Sequence, residues 1–196
     1  MDGMQWMTSA MRAARAQLDT ATHNLANVSS DGYRRFDSHV ELAEGGLVAR
    51  EVPSSEQGAL RHTGRALDVA ILGPGSFRVG DHQTRSGAFV RDRFGYLSDD
   101  RGERLRDAHG RAIRVSGEVT IERDGAVRDG ARIAGRIPLA AGTSLQPGFL
   151  ETANVNAIGE TLAILTAQRA FETAQKTFSA IDETRQKTAS EVARLK

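Results

Sequence analysis

The chain of 196 residues carries 26 lysines and arginines against 25 aspartates and glutamates, which leaves a net charge of +1. This balance excludes the strong positive field typical of proteins that bind nucleic acid or anionic membranes. The absence of cysteine excludes disulfides, thiolate metal sites and thiol catalysis. No apolar run approaches the ~18 residues of a membrane span, and no basic segment followed by an apolar one opens the chain. We therefore expect no transmembrane helix and no cleaved secretory signal.

The N-terminal segment, residues 3–27, has the pattern of an amphipathic helix. Its apolar or small residues recur at alternating steps of three and four, the spacing of coiled-coil core positions. This stripe consists of Met4, Met7, Met11, Ala14, Leu18, Ala21, Leu25 and Val28. Two interpretations remain open: an ordinary helix facing a core, or a coiled-coil seam, which the small alanines favour. We expect the helix to close at Asn27 in the left-handed conformation, before a turn over residues 29–32.

The C-terminal segment, residues 157–194, predicts a second and longer helix. Asn156 is a candidate N-cap, and Glu160 falls in the first turn, where a carboxylate suits the helix dipole. A second seam with the same spacing consists of Ile164, Ala167, Phe171, Ala174, Phe178 and Ile181. It weakens at Arg185 and Thr188, before Val192 and Leu195. Since only 39% of the residues are apolar, we expect part of the apolar surface to be buried against another molecule.

The middle of the chain alternates apolar and polar residues in short runs, such as Leu67, Val69 and Ile71, which is typical of strands. Glycine-containing turns separate these runs. The fold class expected is therefore α+β, with long terminal helices forming a coiled-coil-like core and a central, mainly β domain. The expected divisions are a helix and turn over 1–35, a linker over 36–56, a β-rich domain over 57–140, a linker over 141–155 and a helix over 156–196.

No constellation of catalytic residues stands out. The five histidines lack the spacing of a metal site, and no carboxylate pattern completes one. The Gly73-Pro74-Gly75 stretch lacks the Gly-Lys-Ser/Thr ending of a phosphate loop and suits a hairpin turn. Asp99 and Asp100 fit ordinary turn chemistry. We expect no catalytic, cofactor-binding or metal-ligating residues. Two further classes stay open on pattern alone: a coiled-coil adaptor with a β-domain, and a β-domain enzyme dimerised by its helices.

Four stretches together resemble one protein family. They are NLANVSSDGYRR at 24–35, QGALRHTGRALDVAILGPGSFRV at 57–79, TRSGAFVRDRFGYLSDDRGERL at 84–105, and PGFLETANVNAIGETLAILTAQRAFETAQKTFSAID at 147–182. In this order they resemble the bacterial flagellar axial proteins of the rod and hook. The residues that carry the resemblance most specifically are Asn24, Leu25, Ala26, Asn27, Gly32, Tyr33, Arg34, Gly148, Leu150, Glu151, Asn154, Val155, Asn156, Gln168 and Arg169.

The resemblance implies a structural subunit rather than an enzyme. Proteins of this family pack their terminal helices as concentric layers around a hollow axial tube, with the β-domain outside. The implied partners are further copies of the chain, other rod and hook subunits, and the flagellar type III export apparatus. Neither nucleic acid nor direct membrane insertion is implied. The implied location is the basal-body rod in the periplasm. The implied assembly interface consists of the two seams, from Met4 to Leu25 and from Ile164 to Ile181.

Two departures refine the family assignment. The segment after Arg34 and the segment before Gly148 are both short, which disfavours a hook protein and favours a rod subunit, with the proximal type preferred to the distal type. The Gly73-Pro74-Gly75 turn replaces an acidic-glycine-aromatic pattern, so its contacts are not expected to follow those of the family.

Overall fold

A computed structural model describes residues 3–194 of the chain. Two long helices, α1 (Gly3–Ala26) and α2 (Ala157–Arg194), enclose thirteen short strands in the sequence. At 1.5 Å per residue the helices are about 36 and 57 Å long. The chain divides into two compact units. We call residues 3–26, 35–54 and 155–194 the helical unit, and residues 27–34 and 55–154 the β unit. The expected α+β class is confirmed at this level. The side chains of 191–196 and residues 1–2, and with them Val192 and Leu195 of the second seam, lie outside the description.

In the helical unit, α1 packs along the first part of α2. The pair is antiparallel, because Gly3 at the start of α1 lies next to Ile181, whereas Asn24 near its end contacts Glu160 at the start of α2. Each helix therefore gives the other a partner for its apolar stripe. The seams are expected to pack with each other and with neighbouring molecules, and part of each stripe is covered within one chain.

Residues 36–53, most of the segment expected to be a linker, form a hairpin in the helical unit. Strands β1 (Phe36–Ala43) and β2 (Gly46–Pro53) pair antiparallel in register from Phe36 opposite Pro53 to Ala43 opposite Gly46. The hairpin packs on α1, where the Leu47 N–H donates to Ser9 Oγ at 3.1 Å. Glu44 and Gly45 form the turn, and Gly46, which begins β2, has a φ of +116°.

The strands of the β unit are β3 (Leu60–His62), β4 (Val69–Leu72), β5 (Phe77–Val79), β6 (His82–Thr84), β7 (Val90–Arg91), β8 (Leu97–Ser98), β9 (Val119–Ile121), β10 (Ala126–Asp129), β11 (Arg132–Arg136), β12 (Ser144–Pro147) and β13 (Phe149–Glu151). The expected linker over 141–155 contains two of them. β12 pairs with β4, and β13 pairs with β3. Distant parts of the sequence therefore meet antiparallel, which no local pattern reveals.

A repeated turn organises the centre of the β unit. In each copy an aspartate accepts hydrogen bonds from the backbone N–H groups two and four residues later; the aspartates are Asp92, Asp99 and Asp107. A glycine follows three residues after each aspartate. The turns bring three buried residues into a backbone cycle. Leu97 N–H donates to Ile113, Ile113 N–H to Leu105, and Leu105 N–H to Leu97.

These residues belong to a single apolar core in the β unit. Its buried members are Val69, Ile71, Phe77, Val79, Phe89, Leu97, Leu105, Ile113, Val115, Ile121, Val127, Ile137 and Leu145. Phe77 and Phe89 meet edge to face with ring centroids 5.0 Å apart. Burial of this apolar surface stabilises the unit at roughly 25 cal/mol per Å².

Candidate functional site

The two predicted seams lie on the faces that the helical unit covers. The small residues Ala14, Ala21, Ala167 and Ala174 are buried. The larger members are half-buried: Met4, Met7, Met11, Leu18, Leu25, Ile164, Phe171, Phe178 and Ile181. Alanine at the buried positions permits close approach of the helices. Both stripes therefore lie on the partly covered faces of their helices. Their role in contacts between subunits stays a prediction, because the structure contains one chain.

Asn24 holds the end of α1 against the first strand. Its Nδ2 donates to the Phe36 carbonyl at 2.8 Å, and its Oδ1 accepts from the Phe36 N–H at 2.9 Å. The side-chain amide thus pairs with both backbone groups of Phe36, as a neighbouring strand would. Asn24 is only 1% exposed. A buried amide that satisfies two backbone groups accounts for this residue of the family motif.

A buried carboxylate completes this cluster. Glu160, 4% exposed, accepts from Asn24 Nδ2 at 3.2 Å and from Arg35 Nε at 2.6 Å. Arg35 also pairs with Asp37 at 2.8 Å. The charge on Glu160 is therefore balanced by a guanidinium as well as by its position in the first turn of α2. Sequence reasoning found the helix-dipole role and missed the ion pair, because Arg35 is 125 residues away.

The turn after α1 closes differently from the expectation. No residue other than glycine has a positive φ in the described part of the chain, so Asn27 is not left-handed. Instead the Ser30 N–H donates to the Asn27 carbonyl at 3.0 Å, and the Tyr33 N–H to the Ser30 carbonyl at 3.1 Å. Gly32 supplies the left-handed residue, with a φ of +72°. A Cβ there would lie 2.1 Å from the Ser86 backbone nitrogen, so the motif requires glycine.

Glu151 of the second family motif anchors a buried ion pair in the β unit. Its carboxylate lies 2.6 Å from Arg85 Nη2, and it also accepts from the Gly58 N–H at 3.2 Å. Arg85 donates in addition to the carbonyls of Ile71, Gly73 and Gly75. In this buried site the two opposite charges neutralise each other, and the N–H groups of the Arg85 guanidinium have hydrogen-bond acceptors. Sequence reasoning singled out Glu151 but not Arg85.

The other motif residues divide between structural and exposed positions. Burial, together with nearby Arg85, lowers the pKa of Arg34 below its usual value, while Glu151 opposes that shift. Gly148 has a φ of +76°, and Leu150 is buried. Asn156 caps α2 as predicted, since its Oδ1 accepts from the N–H groups of Ile158 and Gly159. Leu25, Asn27, Tyr33, Asn154 and Val155 are half-buried, whereas Ala26, Gln168 and Arg169 are exposed.

A second apolar face of α2 is exposed. Ile158, Leu162 and Leu165 are 76%, 59% and 47% exposed, and their spacing of four and three residues places them on one side of the helix. Sequence reasoning missed them because it followed the longer heptad seam. The signal was available, since three large aliphatic residues recur at helical spacing beside that seam. A stripe of this kind on a helix is typical of a surface that another molecule covers.

Within the described residues, no group of histidine, aspartate and glutamate side chains is arranged to hold a metal ion. None of the helices described combines the length and apolarity needed to cross a membrane.

Comparison with known proteins bears on both ends of the chain. A family model described as flagella basal body rod protein matches residues 4–34, and one described as flagellar basal body rod FlgEFG protein C-terminal matches residues 146–191. The chain is 29% identical to the flagellar basal-body rod protein FlgF of Caulobacter vibrioides, with 92% of each chain covered. The chain belongs to the flagellar basal-body rod protein family.

Other rod and hook relatives agree. The flagellar basal-body rod protein FlgG of Bacillus subtilis is 26% identical, over 89% of this chain and 93% of that protein. The flagellar hook protein FlgE of Brucella abortus is 32% identical, but the match covers 60% of this chain and 33% of the hook protein. The family resemblance read from the sequence motifs is therefore confirmed. Since the flagellar basal-body rod protein family is structural, the expectation of a structural protein rather than an enzyme is confirmed with it.

Proposed function

We propose that this chain is a structural subunit of the flagellar basal-body rod, which polymerises through its terminal helices into a hollow axial drive shaft. Support comes from relatives named as rod proteins that match along most of the chain, and from family models that match both helix-bearing ends. The single observation that carries polymerisation is the exposed apolar face of Ile158, Leu162 and Leu165, which lies within the matched C-terminal region.

The proposed partners are further copies of the chain and other axial subunits of the rod and hook. The flagellar type III export apparatus is proposed as the route by which the chain reaches the basal body, on the family resemblance alone. The short segment between Arg34 and the β-rich region supports a proximal rather than a distal position in the rod. We also retain the proposal that α1 and α2 pair in a coiled-coil-like manner, with the β-rich region as a separate domain.

We infer that two sets of residues on the helices have different tasks. The seam residues, such as Leu18 and Phe178, hold the helices of one subunit together and continue into the intersubunit core. The exposed face around Leu162 contacts a neighbouring subunit only. Burial of one exposed leucine contributes about 1.5–3 kcal/mol, so a charge there weakens each contact by at least that amount.

Fractionation of detergent-resistant basal bodies tests the proposal. Wild-type chain should be recovered in this fraction. Leu18→Asp and Phe178→Asp should be absent from it and should also destabilise the helical unit. Leu162→Asp should be absent yet retain the wild-type helical content and thermal midpoint.

Gln175→Asp, an exposed substitution on α2, is the matched control and should be recovered like wild type. Absence of the wild-type chain from basal bodies would contradict the rod assignment. Normal recovery of Leu162→Asp would contradict the role of the exposed face, and normal recovery of both seam variants would contradict the seam assignment.

A further inference from the structure

An arginine-lined cleft opens on the β unit. Its volume is about 770 Å³, and Arg91, Arg93, Arg114 and Arg132 line it around the side chain of Phe94. These arginines are all exposed, and Phe94 is 52% exposed. Arginine presents a planar fork of donors that matches a carboxylate in bidentate fashion. The cleft therefore has the chemistry to bind acidic side chains.

Aromatic rings lie against two of these guanidinium groups, those of Arg93 and Arg114, and against Arg104 beside the cleft. The Arg93 Cζ lies 4.8 Å from the Phe94 ring centroid. Arg104 stacks on Tyr96 at 4.0 Å, and Arg114 lies 5.7 Å from the same ring. Stacking on a ring orients a guanidinium without neutralising its charge. The positive groups are thus ordered in advance, which lowers the entropy lost when a ligand binds.

The carboxylates of the cleft are engaged in its own backbone. Asp92 Oδ1 accepts from the N–H groups of Phe94 and Tyr96, each at 2.8 Å. Asp129 accepts from the Ser116 and Gly117 N–H groups at 2.8 and 2.7 Å. Within the described residues, Arg93 and Arg132 make no ion pair. The cleft therefore presents more positive charge than its acidic residues balance.

An acidic surface lies at the other end of strand β8. The turn over 92–95 leads into this strand, and the turn over 99–102 follows it. The three residues between the turns, 96–98, separate them by about 10 Å. Asp100 and Glu103 of the second turn are exposed and form no ion pair with the described residues. The neighbouring turn adds Asp81, whose side chain is fully exposed, although it lies 3.5 Å from Arg106. Arg101 is the exposed cation within this turn.

We propose that the arginine cleft of one subunit receives the acidic 99–103 turn of a second copy of this chain, head to tail. The inference rests on the proposed function in one respect: polymerisation places further copies of this chain next to one another. The exposed arginines beside the turn over 92–95 are complementary in charge to Asp100 and Glu103 of the turn over 99–103. A head-to-tail contact between different surfaces of identical subunits continues as an open helical filament when its rotation does not close into a ring.

Cysteine cross-linking tests the geometry directly, because the chain has no native cysteine. Purified full-length Arg93→Cys and Asp100→Cys proteins are mixed and oxidised. The proposal expects a disulfide-linked dimer in the mixture and none in either variant alone. A dimer of Arg93→Cys with itself would show a symmetric contact and overturn the proposal. Absence of any mixed dimer would also overturn it.

Charge reversal supplies the second test, with self-association of the full chain measured by sedimentation equilibrium at low and high salt. Arg93→Glu with Arg132→Glu should weaken association about tenfold or more, and Asp100→Arg with Glu103→Arg should do the same. Both pairs of reversals in one chain should restore association, because every contact is then reversed on both sides. Failure of the combined variant to recover would indicate a non-specific contact and overturn the proposal, as would a wild-type chain that stays monomeric at all concentrations. Association that stops at a dimer would show a closed reciprocal pair and would also overturn it.

The matched control is Arg78→Glu with Arg123→Glu, two exposed arginines of the β unit outside the cleft. It changes the net charge by the same amount as the first pair and should leave association unchanged. Thermal unfolding of every variant checks that the fold is intact. These outcomes are distinguishable from failure of the proposed function. A chain that cross-links as expected but is absent from basal bodies contradicts the rod assignment and supports the proposed contact. A chain that is present in basal bodies but does not cross-link supports the rod assignment and contradicts the contact.

Discussion

Arg85 and Glu151 form an ion pair that water does not reach, with Arg85 5% and Glu151 2% exposed. Removal of one partner leaves the other charge buried and uncompensated, which costs about 3–5 kcal/mol. We expect Arg85→Ala to lower the free energy of unfolding by that amount in urea titrations. Arg85→Lys should also be strongly destabilising, since one ammonium cannot serve Glu151 and the three carbonyls of Ile71, Gly73 and Gly75 together. Wild-type stability of Arg85→Lys would contradict this role of the Arg85 guanidinium.

Aspartates in the turns of the β unit make its stability depend on acid pH. Burial alone would raise the pKa of Asp107, but hydrogen bonds from Arg111 and His109 outweigh it and lower the pKa below the usual value. Hydrogen bonds from Ser116 lower the pKa of Asp129, and those from Ala126 and Arg136 lower that of Asp124. A carboxyl group whose pKa is lower in the folded state than in the unfolded state stabilises the fold at pH values above its unfolded-state pKa, which is about 3.9.

This stabilisation is lost as the pH falls through the folded-state pKa values. We therefore expect the thermal midpoint of the β unit to be steady from pH 7 to about 5 and to fall below about pH 4. Asp129→Asn should reduce the steepness of that fall, because it removes one linked carboxyl. A midpoint that rises on acidification, or an unchanged slope in Asp129→Asn, would contradict the assignment.

The role of a single residue can be predicted from the sequence when its hydrogen-bond partners are a few residues away, but not when they are distant in the chain. Asn156 could be assigned as an N-cap, since its partners Ile158 and Gly159 are two and three residues away. The repeated turns of Asp92, Asp99 and Asp107 were also readable, because each aspartate and its glycine lie three residues apart, but only Asp99 was recognised as a turn residue. Arg85 could not be paired with Glu151, because 66 residues separate them.

Among the elements, α2 depends on a defined start. Asn156 Oδ1 accepts from two N–H groups that have no partner within the helix. We expect Asn156→Ala to lower the free energy of unfolding of the helical unit by about 1 kcal/mol, and Asn156→Asp to retain most of it. Urea titration followed by circular dichroism at 222 nm measures both. Equal losses in the two variants would show that the side chain has another role.

The helices were predictable and the β1–β2 hairpin was not, for a physical reason. The helix seams repeat for several turns, so each position supports the same interpretation. In the hairpin, most side chains are exposed, and the pattern has no continuous apolar face. Its order derives from cross-strand bonds and from packing on α1, as at Leu47 and Ser9. Strands such as β12 and β13 likewise depend on partners distant in the sequence.

Across the whole molecule, the burial and hydrogen bonding of each backbone amide predict how fast its hydrogen exchanges with solvent. The amides of Leu97, Leu105 and Ile113 donate within a buried cycle and should exchange slowest in the purified chain. Residues 186–190 of α2 lie beyond the contacts of Gly3 with Ile181 and of Met4 with Arg185, so their amides should exchange fast. Assembly into rods should slow them. Hydrogen exchange by mass spectrometry measures both states, and equal protection of residues 186–190 in monomer and rod would contradict proposed burial on polymerisation.

The hydrogen-bonded cycle of Leu97, Leu105 and Ile113 has a consequence for how the molecule avoids unwanted association. An open strand offers a row of free donors and acceptors on which foreign chains add as amyloid does. In this cycle the backbone N–H of each residue donates to the carbonyl of another member. These three residues therefore leave no free N–H group to which a further strand could pair. A protein that must associate with other subunits only at specific surfaces benefits when these three residues offer no free backbone N–H group for a further strand.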